Sequence, residues 1–336
     1  MVRVVFYNLP LSYIHVELTT KCNAACPMCM RNLNGDRDHP SLVKQDFDID
    51  WLDNLDLPAN KLTLCGNYGD PCVHPQLHTI IDRWLTKHNK PVLMMTNGGA
   101  RKPEYWASLA QLAGDRLHVV FGIDGLSDTN HLYRRHVQWD KLMLNAQAYI
   151  DAGGAATWKY IIFDHNKHQV DSANALAQQM GFRKFEKIKT NRFEQDFLPV
   201  FDKDANEIYR LYEAKLDNTG FTAKNPNRIQ TTKVWTGDID CYAKKESSVY
   251  IAADGRVYPC CNTGYHYNDD RSLNKEIIEL QQQIGAPNLK TQQLSKIVDS
   301  DFFQTVQNKW EDTPLKKCKK TCGVLRDNLH AVETFS

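Results

Sequence analysis

From residue 14 to about residue 190, short apolar runs alternate with amphipathic stretches. IHVEL (14–18), KLTLC (61–65), PVLMMT (91–96), LHVVFGI (117–123), WKYIIF (158–163) and KFEKIK (184–189) predict strands. Most are apolar nearly throughout, as strands covered on both faces are. LHTIIDRWLTKH (77–88), PEYWASLAQLA (103–113), DKLMLNAQAYIDAG (140–153) and QVDSANALAQQMG (169–181) carry apolar residues at helical spacing. Gly153 and Gly181 close the last two and suit helix C-caps. This alternation predicts an α/β fold with about six parallel strands and helices outside them, either an open doubly wound sheet or a partial barrel. Functional residues then belong at the C-terminal ends of the strands.

Past about residue 192 the pattern changes. DANEIYRLYEAKL (204–216) predicts one helix, and SVYIAADGRVYPCC (248–261) a β-hairpin turning on Asp254-Gly255. A polar helical segment, DFFQTVQNKW (301–310) and LKKCKKTCG (315–323) follow.

Composition adds constraints. Acidic and basic residues nearly cancel, 40 against 41, so no global field draws the chain to nucleic acid or an anionic membrane. No apolar run reaches the ~18–20 residues that span a bilayer. The first residues lack the pattern of a secretory signal, so a cytoplasmic protein is expected. In a reducing compartment the ten cysteines do not form a disulfide framework. They cluster instead. Cys22, Cys26 and Cys29 stand near the front, then Cys65 and Cys72. Cys241, Cys260, Cys261, Cys318 and Cys322 fall in the last hundred residues. Such clustering points to metal or cluster chemistry.

The front motif, Cys-x3-Cys-x2-Cys, directly follows the first strand. Three thiolates do not close a structural zinc site, which takes four ligands. A four-iron cluster on three thiolates keeps one iron open for a small molecule. His15-Val-Glu17 ahead of Cys26-Pro-Met-Cys29 superficially matches the zinc deaminases, but the intervening gap is too short for that arrangement.

Cys22-Asn-Ala-Ala-Cys26-Pro-Met-Cys29 after a first strand resembles the signature of the radical S-adenosylmethionine (radical SAM) enzymes. The likeness continues in order along roughly residues 13–190. CGNYGDPCVHP (65–75) resembles the family's Gly-Gly-Glu-Pro-like motif, with Gly69 and Asp70 at its end and an aspartate in place of the glutamate. MMTNGG (94–99), containing Asn97, is similar to the third-strand segment. FGIDGLSDTNHLYRRH (121–136) resembles the fourth-strand segment, with Asp124 and an arginine for the SAM carboxylate, either Arg134 or Arg135, of which Arg134 is the match. Met28 stands where the family places a residue near the adenine. The tail, Cys241, then YIAADGRVYPCC, then Cys318-Lys-Lys-Thr-Cys322, resembles the SPASM/twitch extension.

The resemblance implies a partial (β/α)6 barrel over 1–195, a linker over 196–240 and a small α+β auxiliary-cluster domain over 241–336. It implies a [4Fe–4S] cluster on Cys22, Cys26 and Cys29, SAM bound with contacts from Met28, Gly69, Asp70, Asn97, Asp124 and Arg134, and one auxiliary [4Fe–4S] cluster on Cys241, Cys260, Cys318 and Cys322. The choice of Cys260 over Cys261 follows the family pattern. A four-thiolate zinc site has the same ligand count as the tail set. Cys65 and Cys72 read as loop thiols. The implied activity is reductive cleavage of SAM and hydrogen-atom abstraction, with flavodoxin or ferredoxin as electron donor. The implied substrate is a peptide or protein, or alternatively a sugar-like small molecule. A non-enzymatic zinc- or cluster-bearing interaction or electron-carrier protein is the competing class.

Overall fold

The computed structural model describes residues 6–190, 192–193, 195–215, 233–265 and 273–327 of the 336-residue chain. Six parallel strands carry the fold: β1 (Tyr13–Val16), β2 (Leu62–Leu64), β3 (Val92–Thr96), β4 (Leu117–Gly122), β5 (Ala155–Ile162) and β6 (Lys184–Lys189). They lie side by side in chain order. Each parallel pairing needs a crossover. After β2 these are α1 (Leu77–His88), α2 (Pro103–Ala113), α3 (Asn130–Tyr133) with α4 (Trp139–Asp151), and α5 (Val170–Met180). In α1 the buried residues are Leu77, Ile80, Ile81, Trp84 and Leu85, one apolar stripe at helical spacing. Asn89 ends it in the left-handed conformation, as Gly181 does for α5.

The register sorts the two faces of this sheet. Parallel partners share a face, and successive residues alternate. Ile14, Leu62, Val92 and Leu117 align, as do Phe121 and Trp158, and this set is buried under the helices. His15, Thr63, Leu93 and His118 align on the other face, and His118 Nε2 lies 2.8 Å from Thr157 Oγ1 there. The inner face is thus the polar one, and it fronts the strand ends.

β7 (Phe197–Phe201) and β8 (Glu207–Tyr212) form an antiparallel hairpin where the sequence predicts a helix over 204–216. The cause is local. Asp202 accepts from the N–H groups of Asp204 and Asn206, both at 2.9 Å, which folds the chain back. Only Leu211 of β8 is buried, so no helical apolar stripe is used.

Further on come β9 (Lys233–Ile239), α6 (Tyr242–Lys245), β10 (Ser248–Ile251), β11 (Val257–Tyr258), α7 (Lys275–Ile284), α8 (Leu294–Val298), α9 (Asp301–Asp312), α10 (Lys316–Cys322) and β12 (Gly323–Asp327). β10 and β11 are the hairpin on Asp254-Gly255, with Gly255 at φ 82°. β10 pairs in parallel with β1, Tyr13 opposite Ser248, and so extends the main sheet to eight strands. Part of the C-terminal segment therefore continues the main sheet past its β1 edge. β9 pairs with β12 in a separate ribbon. Residues 216–232 of the expected linker and the last residues of the tail lie outside the described residues. Among the described residues no helix is long and apolar enough to cross a membrane.

Candidate functional site

The loop after β1 holds Cys22, Cys26 and Cys29. Cys29 N–H donates to the Cys26 carbonyl at 3.0 Å, and Asn32 Nδ2 donates to the same carbonyl at 3.0 Å, closing the loop into a tight turn. N–H donors are aimed at two of the sulfurs. Cys22 Sγ accepts from Ala24 N at 3.3 Å and Asn97 Nδ2 at 3.6 Å, and Cys26 Sγ from Arg134 Nη1 at 3.8 Å. Burial pushes the Cys26 thiol up to about 11 and raises Cys22 and Cys29 as well, with nearby thiols adding to it at Cys22 and Cys26. A cationic iron centre reverses that preference, because a coordinating thiol is deprotonated. Soft donors ringed by N–H groups suit an iron–sulfur cluster. Among the described residues, no group of three or more His, Cys, Asp or Glu is placed to hold a single metal ion.

Around this loop stand the other expected residues. The 66–70 loop lies directly on it: a Cβ on Gly69 would come within 1.7 Å of the Thr19 carbonyl oxygen, and Asp70 N–H donates to Lys21 O at 3.0 Å. The buried Asp70 carboxylate accepts from Cys72 N at 2.9 Å, Thr96 Oγ1 at 2.9 Å and Asn97 N at 2.7 Å. It ties the ends of β2 and β3 together. Burial raises its pKa against those bonds. Asn97 exchanges amide hydrogen bonds with Asn23 at 3.0 and 3.1 Å.

Asp124, fully buried after β4, accepts from Arg134 Nε at 2.6 Å and Ile161 N at 2.5 Å. The Arg134 guanidinium lies over Gly122, where a Cβ would meet it at 2.4 Å. Arg135 points elsewhere, to Asp36 with Nε–Oδ1 at 2.6 Å and to Tyr209 OH of β8 at 3.1 Å. The Arg134 guanidinium reaches a cysteine sulfur, whereas Arg135 meets the cysteine loop only through its carbonyl, which accepts from Ala25 N at 3.1 Å. Met28 is half-buried against the core, and its carbonyl accepts from Arg192 Nη1 at 3.2 Å.

In the tail, Cys241, Cys260, Cys318 and Cys322 line one small cavity with Pro259, Trp310 and Thr321. The Cys241 thiol donates to Cys322, which holds the Cys322 thiol below its usual range. Cys261 is not part of that lining. Its thiol lies 3.7 Å from Tyr242 OH, and its carbonyl accepts from Asn67 Nδ2 at 2.8 Å. Asn67 O in turn lies 4.0 Å from Cys29 Sγ, so one asparagine joins the two cysteine-bearing loops.

Sequence reasoning passed over Glu17, which is fully buried at the end of β1. It accepts from Tyr68 N at 2.7 Å, Gly69 N at 3.2 Å and Tyr250 OH of β10 at 2.9 Å, and burial pushes it up to about 7. It also passed over Lys159 and Arg192. The signal for Glu17 and Lys159 is a charge inside an otherwise apolar strand.

Comparison with known proteins agrees with this arrangement. The family model described as Radical SAM superfamily matches residues 16–173, and that described as an iron–sulfur cluster-binding domain, SPASM, matches residues 241–323. A tungsten-containing aldehyde ferredoxin oxidoreductase cofactor-modifying protein of Pyrococcus furiosus is 30% identical over 121 residues, 34% of this chain and 32% of that protein. The chain thus matches about a third of that relative. SuiB of Streptococcus suis bound to S-adenosylmethionine superposes with a TM-score of 0.56 at 14% identity, over 87% of this chain and 64% of that one. The structure of anSMEcpe with bound AdoMet and Cp18Cys peptide gives 0.55 at 13%, over 90% of this chain and 84% of that one. At such identities the structures show a shared fold. The two family models together span well over half of the chain and fix its cofactors as SAM and [4Fe–4S] clusters. The chain belongs to the radical SAM superfamily and carries a C-terminal SPASM-type iron–sulfur domain.

Proposed function

We propose that this protein cleaves SAM reductively at the front loop and abstracts a hydrogen atom from a peptide or protein substrate. The observation that carries the reading is the triad of thiols in one loop, with Asn97 and Arg134 donating to its sulfurs. When bound, the reduced cluster would supply one electron to the SAM sulfonium, breaking its S–C5′ bond to give methionine and a 5′-deoxyadenosyl radical that would take a hydrogen atom from the substrate. Cys22, Cys26 and Cys29 would hold the cluster with one iron left free for SAM. Arg134 presents a cation to the SAM carboxylate, with its own charge balanced by Asp124. Asp70 and Gly69 fix the loop that meets the amino group, and Asn97 orients the Cys22 side. Met28 borders the adenine. In a segment running over 241–336, Cys241, Cys260, Cys318 and Cys322 hold the auxiliary cluster. That segment follows a barrel portion over 1–195 and the 196–240 connection. The lysines beside Cys318 suit an acidic electron donor of the flavodoxin or ferredoxin kind.

The peptide reading draws support from two proteins of similar fold. SuiB has been crystallised with precursor peptide SuiA, and anSMEcpe with the Cp18Cys peptide. Replacing Cys22, Cys26 and Cys29 together with Ala tests the core of the proposal. The variant is expected to lose one cluster and all 5′-deoxyadenosine formation from SAM under dithionite. Retained SAM cleavage would sink the assignment.

A further inference from the structure

Lys159 stands in the middle of β5, between Trp158 and Tyr160. Both neighbours are fully buried on the outer side of the sheet, Trp158 5.4 Å from the Phe182 ring. Alternation puts Lys159 on the inner face. The register agrees: Lys159 pairs with Gly122 of β4 and Glu186 of β6. The inner side of Gly122 is where the Arg134 guanidinium lies. Lys159 therefore shares the lumen with Arg134, Asp124 and the cysteine loop. Its charge acts on Asp124 after β4 and on Cys65 at the end of β2, so the ammonium projects across that lumen.

Lys159 has no ion pair and no side-chain hydrogen bond among the described residues. The inward carboxylates are engaged elsewhere. Asp124 holds Arg134, Glu17 holds two N–H groups and Tyr250, and Glu186 lies 3.7 Å from Lys184. A second cation, Arg192, follows β6. It is exposed, donates to the Met28 carbonyl, has no carboxylate partner among the described residues, and acts on Cys29. SAM brings one carboxylate, which the proposed function gives to Arg134. Two cations, Lys159 within β5 and Arg192 just after β6, thus have no anion to meet them among the described residues, and the half-buried Lys159 in particular favours an anionic partner.

Resting on the radical SAM reading, we propose that Lys159 and Arg192 form an anion-recognition site in the substrate pocket, so that the substrate brings a carboxylate or phosphate group into the mouth of the barrel. The group belongs either to an acidic residue of a peptide or to a small free acid. The test uses full-length, cluster-reconstituted, SAM-loaded protein and isothermal titration. The probes are the pentapeptide acetyl-Ala-Ala-Glu-Ala-Ala-amide, its twin with Gln for Glu, and glutarate. The expected result is at least about ten-fold tighter binding of the Glu peptide than of its twin, the worth of one charge-assisted pair. Lys159→Gln with Arg192→Gln should erase the difference, and Lys159→Arg should keep it. Glutarate binding that is lost in the double variant, without discrimination between the peptides, supports a small acid as the source. The proposal is overturned if wild type neither discriminates the twins nor binds glutarate, or if discrimination or glutarate binding survives in the double variant. A ten-fold loss of SAM affinity in Lys159→Gln also overturns it, because the lysine then serves the SAM carboxylate. Failure of the radical SAM reading shows separately, as absence of 5′-deoxyadenosine from the same wild-type preparation under dithionite.

Discussion

Arg134 donates from Nε to Oδ2 of Asp124 at 2.6 Å, and the carboxylate it meets is wholly out of solvent. The pair ties the β4 end to the helix turn behind it and places the Nη1 group 3.8 Å from Cys26 Sγ. One residue thus serves both the fold and the cysteine loop. Removing it should damage both.

Arg134→Ala leaves a buried carboxylate without its cation. Breaking such a pair costs about 3–5 kcal/mol. The variant is expected to unfold at clearly lower urea concentration and to bind SAM about ten-fold more weakly or worse. In the Arg134→Gln, Asp124→Asn double variant the unpaired charge is gone, so stability should recover part of the loss while SAM affinity stays low. Equal loss of stability in the single and double variants would mean that the charge is not what matters.

Gly69 is needed for close approach rather than for an unusual backbone angle. A methyl group there would sit 1.7 Å from the Thr19 carbonyl oxygen, so Gly69→Ala must push the 66–70 loop away from the cysteine loop. Overpacking of this kind costs about 1–3 kcal/mol. The expected signature is weakened SAM binding with iron content largely retained, measured by titration and by iron analysis. Full SAM affinity in this variant would remove the loop from the SAM pocket.

Glu17 gives a pH signature with a definite sign. Its carboxyl ionises near 4.5 in the unfolded chain and near 7 in the folded one, chiefly because it is buried. Between those values the native state keeps a proton that the unfolded chain has released. Its contribution to stability is therefore full below pH 4.5 and is lost as pH rises towards 7. The window corresponds to on the order of 3 kcal/mol. Glu17→Gln should remove this slope. Anaerobic urea unfolding of both proteins at pH 5.5 and 7.5 checks it, since effects of pH on the clusters cancel in the difference. A slope that persists unchanged in Glu17→Gln would refute the assignment.

How much of this was legible beforehand depends on whether the signal is local. β1 to β5 and the helices α1, α2, α4 and α5 follow periodicity because each buries an apolar face, and α1 and α2 end where the sequence places them, whereas the four-residue α3 has no such signal. The front cysteines sit within eight residues and announce themselves. Residues 204–216 fit a helix in sequence, with Ile208 and Leu211 three apart, but the turn chemistry of Asp202 folds them back as β8 against β7. The pairing of β10 with β1 joins Tyr13 to Ser248, and no periodicity encodes a partner so far away. Glu17, Lys159 and Asn67 act through such distant contacts. Their residue types are visible in the sequence, but their neighbours are not.

The two adjacent cysteines after β11 allow the tail assignment to be separated by thiol. Cys260 lines the cavity shared by Cys241, Cys318 and Cys322, and Thr263 Oγ1 lies 3.8 Å from its sulfur. Cys261 turns instead to Tyr242 and, through its carbonyl, to Asn67. Cys260→Ala should therefore lower iron by about half, four of about eight atoms. Cys261→Ala keeps its carbonyl and its place in the chain and should leave the iron content intact. Loss of a cluster also removes the folding free energy of ligation, so both variants are first compared by gel filtration. Where Cys260→Ala is insoluble, Cys260→Ser provides the same test with a side chain of nearly equal size. A soluble Cys260 variant with full iron, or a Cys261→Ala protein that loses half of it, would exchange the roles of the two thiols. The cluster would then face Cys65 and Asn67, close to the SAM loop, instead of the cavity under Trp310.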